Sequence, residues 1–205
     1  MKRGKFIVID GADGCGKTTV ISYLREAYPQ GFVFTREPGG SFFAEKIRDV
    51  ILSPDAKGAS GLTQFGLFWA ARADHLANTI RPALERGLNV VADRFDSSSY
   101  AFQIYGQEER GLKSLFMQMR ELCLGAAKPD LYIILDVNPH IAVARTGERG
   151  KKNKNHFDER DVAFHRRVRE AYRDLPKEFP KIIISSHDPV EEVKANVKRV
   201  IDKLC

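Results

Sequence analysis

Lys5-Phe-Ile-Val-Ile-Asp10-Gly11-Ala-Asp-Gly-Cys-Gly-Lys17-Thr18 is the stretch on which the fold turns. Its first half is a short apolar run, the pattern of a strand buried on both faces of a parallel sheet. Its second half fits G-x-x-x-x-G-K-[ST], and a helical pattern follows from Lys17, so the loop is predicted between a strand and a helix. Glycines in such a loop let backbone N–H groups turn inward, and the helix N-terminus adds partial positive charge. Gly11, Ala12, Asp13, Gly14, Cys15, Gly16, Lys17, Thr18 and Thr19 are therefore expected to cradle the phosphates of a nucleoside triphosphate. Lys17 would reach the outer phosphates, and the Thr18 hydroxyl would hold Mg²⁺.

Outward from this loop the strand–helix alternation repeats. The helix from Lys17 is predicted to run to about Tyr28, and Phe32–Thr35 reads as a second strand before the turn Arg36-Glu-Pro-Gly-Gly40. Ser41 can cap a helix through about Leu52, with Ile47, Val50 and Ile51 on one face. Leu62 to Arg86 has a long helical pattern stopped by Gly87, with Pro82 a point of kinking or breakage. Strands are predicted at Leu88–Ala92, Leu131–Leu135 and Lys181–Ile184, and a last helix from about Pro189 to Leu204. The expected fold is α/β, of the P-loop NTPase type: a five-stranded parallel sheet flanked by helices on both faces. Ligands of such sheets sit beyond the carboxyl ends of the strands, where Asp10, Arg36, Asp93 and Asp136 all fall.

A chain of 205 residues suits one domain, 1–205, around one core. No apolar run approaches the roughly 18 residues of a membrane helix, and Phe6–Ile9 is too short for a signal peptide. The chain is expected to be cytoplasmic. Cys15, Cys123 and Cys205 have no zinc-site spacing, and scattered thiols suit a reducing compartment. Cys15 lies in the phosphate loop, where it reads as a small residue filling a tight turn. The net charge of +6 fits either nucleic acid or polyanionic small molecules. Basic residues are spread along the chain except at Arg145–Lys154, without the aromatic interleaving of a single-strand groove, so no nucleic acid is expected.

Asp93-Arg94 follows an apolar strand, where a carboxylate can bind Mg²⁺ or its water. Phe95-Asp-Ser-Ser-Ser-Tyr-Ala-Phe-Gln103 is rich in hydroxyls and reads as a capped helix start or the lining of a polar pocket. Together with Ile7–Thr19, Thr35-Arg-Glu-Pro-Gly-Gly40, Phe68-Trp-Ala-Ala-Arg72, Lys128-Pro-Asp-Leu131 and Phe157-Asp-Glu-Arg-Asp-Val-Ala-Phe-His165, these segments resemble the thymidylate kinase family. They follow the family's order from residue 6 to about 172.

The resemblance implies Mg²⁺-dependent transfer of the γ-phosphate of ATP to dTMP, giving dTDP and ADP in dTTP biosynthesis. It implies that Phe68 stacks on thymine, that Arg72 reads the base edge with Ser98 or Ser99, and that Arg48 and Arg94 hold the acceptor phosphate. Asp13 would approach the sugar 3′-hydroxyl, Pro38 would wall the base, and Glu37, Phe102 and Gln103 would complete the acceptor set. Without the resemblance, Phe68 would read as core, and Arg48 and Arg72 as solvated or in weak surface ion pairs. Phe102 stands where tyrosine is usual, which removes a hydroxyl from beside the sugar.

Phosphoryl transfer needs positive charge over the transferring group. Thymidylate kinases supply a helping arginine from the phosphate loop or from a mobile lid. The loop position here is Gly14, so the lid, at about 145–157, is implied as the source, with Arg149 the first candidate and Arg145 the second. Asn155-His156 replaces the aspartate-arginine pair common before Phe157. Lys17, Asp93, Arg94, Arg145 and Arg149 form the expected catalytic set, with Thr18 and Asp93 at the metal. A homodimer is implied through helices that include part of Leu62–Arg86. Two alternatives keep the phosphate loop and change what faces it: a kinase of another nucleoside monophosphate or nucleoside, and a nucleic-acid-dependent ATPase.

Overall fold

The structure, a computed structural model, describes residues 2–147 and 161–205. Five strands, β1 (Phe6–Asp10), β2 (Phe32–Arg36), β3 (Asn89–Asp93), β4 (Leu131–Asp136) and β5 (Lys181–Ser185), form one parallel sheet in the order β2-β3-β1-β4-β5. Burial follows position in that order. Every residue of central β1 is buried, whereas the edge strands β2 and β5 are mostly half-buried or exposed. Successive strand residues point to opposite faces, so the buried run of β1 requires cover on both sides.

That cover comes from helices α1 (Lys17–Ala27), α2 (Phe42–Leu52), α3 (Gly61–His75), α4 (Arg81–Glu85), α5 (Asp96–Ser98), α6 (Lys113–Leu124), α7 (Pro139–Gly147), α8 (Val162–Arg173) and α9 (Val190–Leu204). The long pattern from Leu62 is nearly continuous: a π-helical segment, Leu76–Ile80, joins α3 to α4. Pro82 stands in the first turn of α4 and lacks an N–H to donate backward, and the wider π turn just ahead of it accommodates that loss. Ser41 is the N-cap of α2 but does not cap it with its side chain. Its hydroxyl donates instead to Asp74 on α3, and the same carboxylate oxygen accepts the Ala44 N–H at 3.2 Å. Val50, expected on the buried face with Ile51, is 53% exposed.

Register brings the site together. Ile9 lies beside Asp93 and Arg36 also pairs with Asp93, so the ends of β1, β2 and β3 open on one edge of the sheet. Asp136, at the end of β4, is held by Arg169 on α8 at 2.6 and 2.7 Å and is engaged there.

Candidate active site

Gly16 precedes α1 in a left-handed conformation and offers no side chain to cap it, which leaves the first N–H groups of the helix turned toward the loop. The Lys17 ammonium lies inside the loop, donating to Gly11 O at 3.0 Å, Ala12 O at 3.2 Å and Cys15 Sγ at 3.5 Å. Cys15 is a free thiol buried within the loop. Gly14 has no room for a side chain, because a Cβ would come 2.7 Å from the Ala142 carbonyl oxygen of α7. From the last turn of that same helix, Arg145 reaches back to Gly14 O at 3.3 Å. Arg145 is thus a residue of α7 beside the loop, at the start of the lid expected at about 145–157. Arg149 and the rest of the expected lid through 157 lie outside the described residues.

Three cavities surround the loop. Thr18, Arg36, Glu45 and Asp93 share one of about 430 Å³. Within it Asp93 Oδ1 is buried and has no hydrogen-bond partner among the described residues. A carboxylate with an orphaned oxygen, lining the same space as a hydroxyl, suits a hard cation with oxygen ligands. Among the described residues no group of three or more His, Cys, Asp or Glu could hold a metal by itself. Ion binding there therefore needs phosphate oxygens as well.

The second cavity, of about 310 Å³, lies against Gly14, Cys15, Gly16 and Thr19 and is closed by Arg145, Ser186, Asp188 and Val190. Ser186 is buried and its hydroxyl lacks a partner among the described residues. No local pattern singles it out beyond its place after the last predicted strand.

The third cavity gathers nearly the whole expected acceptor set. Asp13, Glu37, Pro38, Arg48, Phe68, Arg94, Ser98, Ser99, Phe102 and Gln103 line it, with Leu52 as an addition. Asp13 thus belongs to both the phosphate loop and this cavity. Both amide atoms of buried Gln103 lack partners among the described residues. Arg48 donates to Pro38 O at 2.6 Å, and burial, then the nearby Arg36 charge, lower its pKa from the ordinary arginine value.

Arg72 is not on the lining, nor is it a solvated arginine. It is 1% exposed behind the wall, sandwiched near the Trp69 and Phe95 rings at 4.6 and 5.2 Å. It pairs with Glu37 at 2.8 Å and donates to Ser99 at 3.1 Å, and its Nη1 has no partner among the described residues. Burying an arginine is tolerable only with such a paired carboxylate.

Arg94 adopts φ 67, a left-handed conformation rare for a residue with a side chain. The surrounding contacts hold it there. Nη1 donates to Asp10 at 3.2 Å, Gly11 O at 3.1 Å and Ser98 at 3.0 Å, and Nη2 meets Asp13 at 2.5 Å. Burial opposes its charge, but Asp13, then Tyr172, Asp10 and Asp93, raise its pKa well above the usual value. Asp10 is fully buried and accepts Gly11 N–H at 2.9 Å, Ser97 at 2.6 Å and Tyr172 at 2.7 Å. The sequence does not single out Tyr172, on α8, because a lone tyrosine on an amphipathic helix carries no signal of its partner.

A family model described as "Thymidylate kinase" matches residues 9–197. The thymidylate kinase of Symbiobacterium thermophilum is 40% identical over 97% of this chain and 93% of its own length. That of a Marinomonas species is 36% identical over 98% and 96%. The crystal structure of thymidylate kinase from Ehrlichia chaffeensis superposes with a TM-score of 0.73 at 30% identity, covering 98% of this chain and 99% of that one. On this evidence of sequence and fold, the chain belongs to the thymidylate kinase family.

Proposed function

We propose that the chain transfers the γ-phosphate of ATP to dTMP, giving dTDP and ADP. One observation carries the reading: the acceptor cavity shares Asp13 with the phosphate loop, so two nucleotides bound there would meet at their phosphates. The reaction needs little covalent help from the protein. Its rate would come from holding the two phosphates in line and from charge stabilisation.

In this reading Phe68 and Pro38 flank the thymine, while Gln103 and Ser99, with Arg72 behind them, read its edge. Arg48 and Arg94 face the acceptor phosphate, and Phe102, over which Arg94 lies at 4.9 Å, packs beside the sugar. Asp13 would approach the sugar hydroxyl, although its pairing with Arg94 gives it a second task in aiming that guanidinium. On the donor side, loop N–H groups and Lys17 bind the triphosphate, and the Arg145–Ser186 cavity takes the base. Thr18 and Asp93 would hold Mg²⁺ together with phosphate oxygens, and the bound ion would neutralise charge on those oxygens. Arg145 brings positive charge beside the loop, and Arg149 would add to it in the expected lid at 145–157.

A homodimer is supported by Phe42, Phe43 and Val50 on α2 and Leu62 on α3, which are 82%, 57%, 53% and 57% exposed on adjoining helices. Sedimentation as one-chain species at micromolar concentration would contradict it. No helix among the described residues is long and apolar enough to cross a membrane. The thiols are unpaired, which supports a cytoplasmic setting, and recovery in a membrane fraction would argue against it.

A crystal of the protein with dTMP and a non-hydrolysable ATP analogue tests these placements together. The reading expects the pyrimidine against Phe68 and the analogue's phosphates on residues 11–19. dTMP bound elsewhere would overturn it.

A further inference from the structure

Behind the acceptor cavity lies a buried network that substrate binding does not by itself explain. His75, at the end of α3, is 0% exposed. Its Nδ1 is 3.2 Å from Glu37 Oε1, and its Nε2 is 2.7 Å from Thr35 Oγ1. A carboxylate oxygen can only accept, so Nδ1 carries the shared hydrogen, and in the neutral ring Nε2 accepts from the Thr35 hydroxyl. The other Glu37 oxygen takes Arg72, from Nε at 2.9 Å and Nη2 at 2.8 Å. Both oxygens of a carboxylate that lines the cavity are therefore engaged from behind, which fixes its orientation. Among the described residues, the donor of this network left without a partner is Arg72 Nη1. Gln103 offers both a donor and an acceptor and can turn its amide to suit either kind of base edge, so it cannot discriminate alone.

We propose that His75 is a positioning residue for base selection: by holding Glu37 Oε1 it keeps this acceptor turned back into the buried network and away from the base. The wall then favours a carbonyl at the pyrimidine 4-position and rejects an amino group there. This rests on the reading that the acceptor base lies in the Phe68 cavity. Without His75, the freed Glu37 oxygen would accept from an exocyclic amino group, and Arg72 would lose its fixed partner.

The test compares dTMP with 5-methyl-dCMP, which exchanges that carbonyl for an amino group, turns N3 from a donor into an acceptor that the Gln103 amide can turn to meet, and leaves the 5-methyl in place. His75→Leu is expected to lower the ratio of kcat/KM for dTMP over 5-methyl-dCMP about tenfold, the scale of one hydrogen bond to a charged group. The KM for ATP should stay unchanged. His75→Asn, whose amide N–H stands near the lost Nδ1–H, should recover most of the ratio. Thr35→Val keeps the ring and removes its second anchor, so it should shift the ratio the same way by less, and it decides the matter if His75→Leu does not fold. Equal loss toward both acceptors, or an unchanged ratio in the variants that fold, overturns the proposal. Arg72→Ala separates the two levels. If it leaves the KM for dTMP unchanged, the placement of the base is wrong. If it raises that KM while the His75 and Thr35 variants keep the ratio, only the role of His75 fails.

Discussion

Asp130 accepts Arg3 at 2.8 Å, Lys5 at 3.3 Å and the Phe6 N–H at 2.8 Å, tying the start of β1 to the turn before β4. Burial alone would raise its carboxyl, but the Phe6 N–H and the Arg3 and Lys5 charges reverse this and hold its pKa below the ordinary aspartate value. A lowered folded-state pKa means that the contribution is complete above the unfolded value, about 4, and is lost as pH falls through the folded value. Asp130→Ala should cost about 1–3 kcal/mol at pH 7. In urea titrations the gap to wild type should shrink as pH drops below about 4, and a gap independent of pH would contradict the assignment. Asp130 was visible in the sequence only as part of a motif. Gly40 is a similar case. Read as a turn glycine, it lies at φ 86, and a Cβ there would come within 2.4 Å of His75 Nε2 and 2.5 Å of Thr35 Oγ1. The glycine makes room for the buried network as well as for the turn. No local pattern announces that, because the two side chains it admits come from β2 and α3.

The predicted elements match the observed ones to within a residue or two, since each buried strand is an apolar run bounded by glycine or a polar residue. Structure and expectation differ where one helix depends on another. The α2 cap comes from Asp74 across α3, which no reading of α2 alone can supply. Val50 looked buried from its spacing, yet it shares an exposed face with Phe42. A second copy of the chain covering that face would reconcile the pattern with the exposure. Phe42→Glu with Phe43→Glu should then shift the sedimenting species toward one-chain mass while the helical circular dichroism is retained. An unchanged species would place any interface elsewhere. Arg145 likewise depends on a neighbour, because packing of α7 on the phosphate loop is what brings it to Gly14 O.

At the scale of the molecule, the sequence supported a parallel sheet but not its order, because every strand is apolar and any could neighbour any other. The order β2-β3-β1-β4-β5 sets the phosphate loop at the middle of the sheet, with Asp93 of β3 on one side and α7 on the other. The acceptor residues are scattered from Asp13 to Gln103 along the chain, and resemblance rather than spacing grouped them; the fold then brings them around one cavity. Arg72, placed behind that cavity, shows what grouping alone cannot say about depth. Transfer from ATP to dTMP is measured as the rate of ADP formation by the intact protein with Mg²⁺ and ATP, offered dTMP, dUMP, dCMP, dGMP and dAMP in turn. dTMP should be turned over with the highest kcat/KM, with dTDP accumulating alongside ADP. No turnover of dTMP alongside turnover of another monophosphate would contradict it.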